Sequence, residues 1–216
     1  MTPEDENGET RAFRVVVTGG PGAGKTTAAD LFRREIGDRV VVVPESATLL
    51  YSGGFPRPEE PDAIRSTQRA IYHLQRNLED VQSARFPDRL LVCDRGTVDS
   101  GAYWPDGAED FFGRVGSSHD RELARYDAVL FFETAARGGL GFDSENRFRT
   151  ETATEAVELD SRLRELWGSH PRFVPVAHTT SFMDKMVTSI ELLRTVLAES
   201  NRPRSSAGSG QSKAAR

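Results

Sequence analysis

Cysteine is nearly absent. Cys93 is the single one in 216 residues, so a disulfide framework within the chain is excluded, and a lone thiol fits a reducing compartment. Lysine is almost as scarce: it occurs at Lys25, Lys185 and Lys213, and every other member of the 28 basic residues is arginine. A GC-rich genome accounts for such a bias, and arginine also suits oxyanions through its planar two-donor fork. Composition does not choose between these. No apolar run approaches the roughly 18 residues of a membrane span. Residues 1–12 are acidic and polar, without the apolar stretch of a secretory signal. Excess positive charge is missing too; the net charge is −5, which argues against nonspecific nucleic-acid binding. These absences predict a cytoplasmic protein that uses neither membrane nor nucleic acid.

What is present suffices for one folded domain. Hydrophobic residues make up 37% and charged residues 28% of the chain, enough for a core but not for a collagenous or fully disordered chain. Residues 1–11 read as a disordered acidic leader, and residues 201–216, rich in Ser, Gly, Ala and basic residues, as a disordered tail. The domain is expected over 12–200. Within it, apolar runs at 13–18, 39–43, 89–93, 128–132 and 172–177 are short and rich in β-branched or aromatic residues. Such near-continuous runs are strands of a parallel sheet covered on both faces.

Helical patterns fall between the runs. Residues 26–36 carry Ala28, Phe32 and Ile36 on one face, with Gly37 as a stop. Residues 61–85 begin with a first-turn proline and line up Ile64, Ile71, Leu74, Leu78 and Val81. Residues 154–167 line up Ala156, Leu159, Leu163 and Leu166, with Thr152 and Glu155 spaced as a capping box. Residues 182–199 line up Met183, Met186, Ile190, Leu193 and Leu197 behind Ser181 as N-cap. Alternating strands and helices predict an α/β three-layer domain: a five-stranded parallel sheet with helices on both faces, and ligands beyond the carboxyl ends of the strands.

One motif carries chemistry. Gly19, Gly20, Pro21, Gly22, Ala23, Gly24, Lys25 and Thr26 follow the first strand, open the first helix, and match G-x-x-x-x-G-K-[ST]. Glycines let successive backbone N–H groups converge on one anion, and the helix adds its positive dipole end. Lys25 supplies a point charge to the β- and γ-phosphates, and Thr26 a hydroxyl to Mg²⁺. The motif therefore predicts a P-loop NTPase fold with a nucleotide phosphate site. It does not separate ATP from GTP.

Acids close several of the other strands. Asp94 ends an apolar run, where a P-loop protein holds its Mg²⁺ shell, usually through water; a helix-capping role is the plain alternative. Glu45 follows Pro44 after the second run, placed either to accept a substrate hydroxyl proton or simply to start a helix in solvent. Arg95 pairs with phosphate or with Glu45, and Asp99 binds a hydroxyl or caps a helix. Glu133 reads as structural.

Residues 19–27, the Pro44-Glu45-Ser46-Ala47 and Asp94-Arg95-Gly96 stretches, and residues 146–149 resemble the small bacterial "predicted ATPase" P-loop domains. These are similar to the ribosylnicotinamide-kinase domain of bacterial NAD regulators and, more distantly, to deoxynucleoside kinases; trafficking-related GTP-binding proteins of animals share the domain. The resemblance spans residues 13–198. It implies an ATP- and Mg²⁺-dependent phosphotransferase, with GTP as the other nucleotide, acting on a small hydroxyl-bearing acceptor such as a nucleoside or nucleotide. It assigns the phosphate loop through Thr27, Glu45 as the acid that activates the acceptor, and Arg95 as the arginine contacting that acid or phosphate. Arg137, Arg147 and Arg149 correspond to lid arginines, with Gly138, Gly139 and Gly141 letting that segment move. His178, Thr179 and Thr180 fall where such kinases hold adenine. Gln68, Tyr72 and Gln75 form a stripe on the long helix that in deoxynucleoside kinases includes a base-reading glutamine; a solvent-facing polar stripe is the reading we favour. Residues 52–60 and 101–116, with Phe55, Tyr103, Trp104 and Phe112, carry no family signature and leave the acceptor open. The rival functions are a regulatory ATP- or GTP-binding module, a slow NTPase using water, and a partner-regulating protein working through its tails. Oligomeric state is not legible.

Overall fold

The computed structural model describes residues 11–134 and 153–200; the expectations for both tails, for Thr152 and for the lid arginines lie outside these residues. All five expected strands form: β1 (Phe13–Thr18), β2 (Val40–Val43), β3 (Leu90–Asp94), β4 (Ala128–Phe132) and β5 (Phe173–Val176). All pairings are parallel, in the order β2-β3-β1-β4-β5. Asp94 belongs to β3 rather than following it, and Arg39 sits in a short 3₁₀ turn before β2.

The sheet is buried on both sides because its strands are apolar at odd and even positions alike. Val15 and Val17, Val92, and Leu130 and Phe132 face one side, where α1 (Lys25–Ile36) adds Ala28 and Phe32 and α8 (Phe182–Ser200) adds Met186 and Leu193. Val16, Leu91 and Cys93, and Val129 and Phe131 face the other, beneath Tyr72 of α3 (Pro61–Arg85) and Leu163 and Trp167 of α7 (Ala153–Gly168). Four short helices had no bounds in the sequence: α2 (Ser46–Ser52), which starts directly after Glu45 as one of that residue's alternatives had it, α4 (Asp99–Ala102), α5 (Ala108–Arg114) and α6 (His119–Leu123). In them and their connections, Trp104 and Phe112 cover the core. Ser181 caps α8 as expected, its Oγ accepting from Asp184 N at 3.2 Å.

Helix α3 starts and ends where expected, but its buried face is a different one. Val81 is 53% exposed, and Thr67, Gln68, Tyr72, Gln75, Glu79 and Ser83 are buried instead. The expected solvent-facing stripe of Gln68, Tyr72 and Gln75 is thus turned inward. Polar groups can take the inner face because partners await them. Ser83 Oγ accepts from Ala12 N (3.0 Å), Tyr72 Oη donates to Glu122 Oε1 (2.7 Å), and Glu79 accepts from Tyr126 Oη (2.7 Å) and Arg125 Nη2 (2.9 Å). Tyr126 Oη also accepts from Thr97 N at 2.7 Å. Tyr126→Phe leaves that buried N–H and a Glu79 oxygen each short of a bond, so chemical denaturation should show a loss of about 1–3 kcal/mol. Val81→Ser, on the face expected to be inside, should change stability by no more than about 0.5 kcal/mol.

Candidate active site

The phosphate loop runs from the end of β1 into α1. Gly19 has φ 129°, and a Cβ there would lie 2.0 Å from Phe132 O, so only glycine lets the loop pass the end of β4 so closely. Gly24, the residue before α1, has φ 88°. Lys25 is 4% exposed rather than on the open surface, and its Nζ donates to Gly20 O at 2.8 Å. The ammonium is folded back across the loop, within electrostatic reach of Glu45 and Asp94.

Thr26 Oγ1 donates to Asp94 Oδ2 at 2.8 Å, uniting the two expected metal residues. The other oxygen, Asp94 Oδ1, is buried and has no hydrogen-bond partner among the described residues. Burial raises the Asp94 carboxyl to a pKa of about 6, with Glu45 adding to the rise and Lys25, Thr26 and Arg95 opposing it. A buried carboxylate short of partners beside a hydroxyl fits Mg²⁺, which takes few protein ligands and fills its shell with water and phosphate oxygens. No group of three or more metal-ligating side chains occurs among the described residues, so the protein share of such a shell would be small.

Glu45 and Arg95, 50 residues apart, meet at the ends of β2 and β3: Arg95 Nε donates to Glu45 Oε1 at 2.5 Å. Of the two partners open to Arg95 in the sequence, the acid is the one it holds. Arg95 is the one described non-glycine residue with positive φ, 69°, a conformation that non-glycine side chains adopt at a cost and that clusters at functional sites. Its backbone N–H donates to Val17 O at 3.0 Å, while its side chain turns back to Glu45 and also reaches Asp99 Oδ2 at 3.1 Å. Asp99 is buried; it accepts from Thr18 Oγ1 (2.8 Å) and Trp167 Nε1 (2.6 Å), so it anchors Arg95. Thr48 Oγ1 donates to Glu45 Oε2 at 2.6 Å. Burial pushes the Glu45 carboxyl up, but Arg95, Thr48 and Lys25 outweigh it and hold the pKa below the usual value. Glu45 is therefore an ionised carboxylate of fixed orientation. Each oxygen has one donor and a further lone pair available to a hydroxyl.

A cavity of about 460 Å³ opens over this pair, between Pro21 of the phosphate loop, α2 and α3. Ile64, Ile71, Tyr51 and Tyr103 give it apolar and aromatic walls. Gln68 and Gln75 behave differently. Gln75 is committed to structure, accepting from Ser46 N (3.4 Å) and donating to Arg95 O (3.2 Å) and Glu79 Oε1 (3.1 Å). Gln68 lines the cavity, and its amide makes no hydrogen bond to another described residue.

Glu133 is structural: its carboxylate accepts from Arg164 and from His178 N (2.9 Å), tying the β4 exit to the segment before α8. Thr27 is exposed on the first turn of α1. Arg137, Arg147 and Arg149 lie outside the described residues. Sequence reasoning missed Asp160, Thr134 and Lys185, which grip the phosphate loop from behind. Their contacts go to backbone atoms and leave no motif; the scarcity of lysine was the one available signal.

Among the described residues, no helix is long and apolar enough to cross a membrane. No curated protein matches the sequence. Among solved structures, deoxyadenosine kinase from M. mycoides with bound dATP is similar at a TM-score of 0.57 and 14% identity, covering 86% of this chain and 99% of that one. That likeness is one of fold, the parallel α/β architecture of P-loop kinases. A family model described as an AAA domain matches residues 14–185, most of the sequence and the whole of the site just described, and the chain belongs to that family.

Proposed function

We propose that the chain transfers the terminal phosphoryl group of ATP, with GTP as the other nucleotide to be tested, to a hydroxyl of a small nucleoside-like acceptor. The observation that carries this is the Glu45–Arg95 pair lining a cavity that adjoins the phosphate loop at Pro21. A regulatory nucleotide-binding module has no need of an ionised acid held at that place by two donors, Arg95 and Thr48. Loop N–H groups and Lys25 hold the phosphates, and Thr26 and Asp94 hold the metal. A Mg²⁺ ion held there would supply positive charge to offset that of the transferring group. Glu45 accepts the hydrogen bond of the acceptor hydroxyl and orients its lone pair toward the phosphate end of the sheet. Arg95 keeps that carboxylate in place. Gln68, which lines the cavity, offers donor and acceptor capacity to a planar acceptor. Arg147 and Arg149 remain the proposed lid cations that offset charge in the transition state. Cys93 is buried and pushed well above its usual pKa by burial, a poor nucleophile and no part of the chemistry. A lone thiol of this kind supports a cytoplasmic setting.

The test is a screen of nucleosides, nucleotides and small sugars with γ-labelled ATP and Mg²⁺. Label appearing in a nucleoside product supports the reading; nucleotide binding without any phosphorylated product favours the regulatory module. Lys25→Ala probes the phosphate site separately. It should abolish measurable triphosphate binding by calorimetry at concentrations where the unaltered chain saturates. It should also cost about 1 kcal/mol of stability for the lost buried hydrogen bond.

A further inference from the structure

The phosphate loop is held from behind in both halves, and neither grip belongs to the motif. In its first half, Thr134 Oγ1 donates to Pro21 O at 2.6 Å and Gly20 N donates to Asp160 Oδ1 at 3.0 Å. In its second half, Lys185 Nζ donates to Ala23 O at 3.0 Å and to Glu133 O at 2.6 Å. Glu133 and Thr134 are neighbours at the exit of β4, so one short stretch of chain backs the whole loop.

Lys185 is 4% exposed, on the first turn of α8. Both acceptors of its ammonium are neutral carbonyls. The nearest influences of opposite charge are Glu133 at the β4 exit and Asp160 on α7, which act at a distance. The Glu133 carboxylate itself is turned to Arg164 and His178 N. Asp184, the preceding residue of α8, is exposed. The ring of Phe132 lies 5.5 Å from Nζ, and Lys25 binds the same loop from the α1 side through Gly20 O. Among the described residues the ammonium is thus a buried cation whose hydrogen bonds go to backbone carbonyls rather than to a carboxylate, directed at the loop backbone.

Its grip has a geometric consequence. The carbonyl of Ala23 and the N–H of Gly24 belong to one planar trans peptide and point in opposite directions. Holding that carbonyl from behind turns the Gly24 N–H toward the hollow of the loop. A cation on the carbonyl also polarises the peptide and strengthens its N–H as a donor.

We propose that Lys185 is a positioning residue of the phosphate site: its ammonium sets the direction of the Gly24 N–H and places a buried positive charge behind the loop. The proposal rests on the loop binding nucleotide phosphates. Burial lowers the Lys185 pKa to about 8, against the pull of Glu133 and Asp160. A bound polyphosphate favours the charged form and raises that pKa. Affinity is then full below the pKa of the free protein and falls as pH rises through that of the complex, with proton uptake on binding near pH 8.

The test is calorimetric titration of the full chain with MgADP from pH 7.5 to 9.5, where the nucleotide's own phosphates no longer titrate, alongside K185M and K185R. For each unit by which binding raises the Lys185 pKa, the unaltered chain should lose up to tenfold in affinity across this range. K185M should bind about tenfold more weakly at pH 7.5 and lack that part of the slope. K185R should recover most of the affinity and also lack the slope, since arginine does not titrate there. The unaltered chain should take up protons at pH 8, read from buffers of different ionisation enthalpy; this arm needs no variant to fold. A slope shared by all three proteins, or no proton uptake, overturns the proposal and leaves Lys185 a structural prop. No MgADP binding by the unaltered chain at any pH overturns the phosphate-site reading and this proposal with it.

Discussion

Glu45→Gln should reduce phosphoryl transfer by roughly 10²–10⁴-fold, the usual weight of a positioned acid–base group, and leave nucleotide affinity intact or slightly improved. The substitution is sterically silent. The amide oxygen can still accept from Arg95 Nε, and the amide nitrogen can donate to the Thr48 hydroxyl, so both contacts of the carboxylate have counterparts. What disappears is the charge and with it the capacity to take a hydroxyl proton. Glu45 also lies within electrostatic reach of Lys25, so removing an anion there favours, if anything, a bound triphosphate. The measurement pairs single-turnover transfer to the acceptor found by screening with calorimetric nucleotide binding. A variant that transfers at the normal rate removes Glu45 from the chemistry. One that no longer binds nucleotide makes Glu45 part of the nucleotide site instead.

The sheet was legible because each strand is a short, nearly unbroken apolar run, the pattern that two covered faces demand. The phosphate loop was legible because its glycines, lysine and threonine serve one anion and stand next to each other in sequence. The inner face of α3 was not. Apolar periodicity points to Val81, yet the helix packs inward through Tyr72, Gln75, Glu79 and Ser83, each matched to a polar partner far away in the chain. Periodicity counts apolar residues and cannot see a distant Tyr126 or Arg125. The same limit applies at the site. Glu45 and Arg95 could be suspected one by one, because each follows a strand. Their pairing stood in the sequence only as one of two alternatives; the contact itself, and Asp99 as its anchor through Thr18 and Trp167, depends on β2, β3 and β1 lying side by side.

Asp94→Asn should make the protein more stable and less active at once. In metal-free, nucleotide-free buffer at pH 7.5, Asp94 is a carboxylate buried to 4% exposure, with one oxygen lacking a hydrogen-bond partner among the described residues. Burial first, then Glu45, raises its pKa from 3.8 to about 6. The folded chain therefore holds this proton more tightly than the unfolded chain. As pH rises from about 4 to about 6 the folded state must give it up against resistance, and stability falls through that window. The two-unit difference corresponds to a cost on the order of 3 kcal/mol, fully present above pH 6. Asparagine has no charge to bury, and Thr26 can still donate to its carbonyl oxygen. The variant should then unfold at higher denaturant than the unaltered chain at pH 7.5, with the gap closing toward pH 4.5. If Asp94 holds magnesium as proposed, the metal reverses the balance, because a cation beside Asp94 is stabilised by the very charge that burial penalises. Turnover with Mg²⁺ and ATP should fall by about 10–100-fold, as for other groups that orient a metal shell, and the magnesium needed for half-maximal rate should rise. An Asp94→Asn protein that is less stable than its parent in metal-free buffer would show that the carboxylate serves the fold. One that turns over normally at low magnesium would show that the metal is held elsewhere.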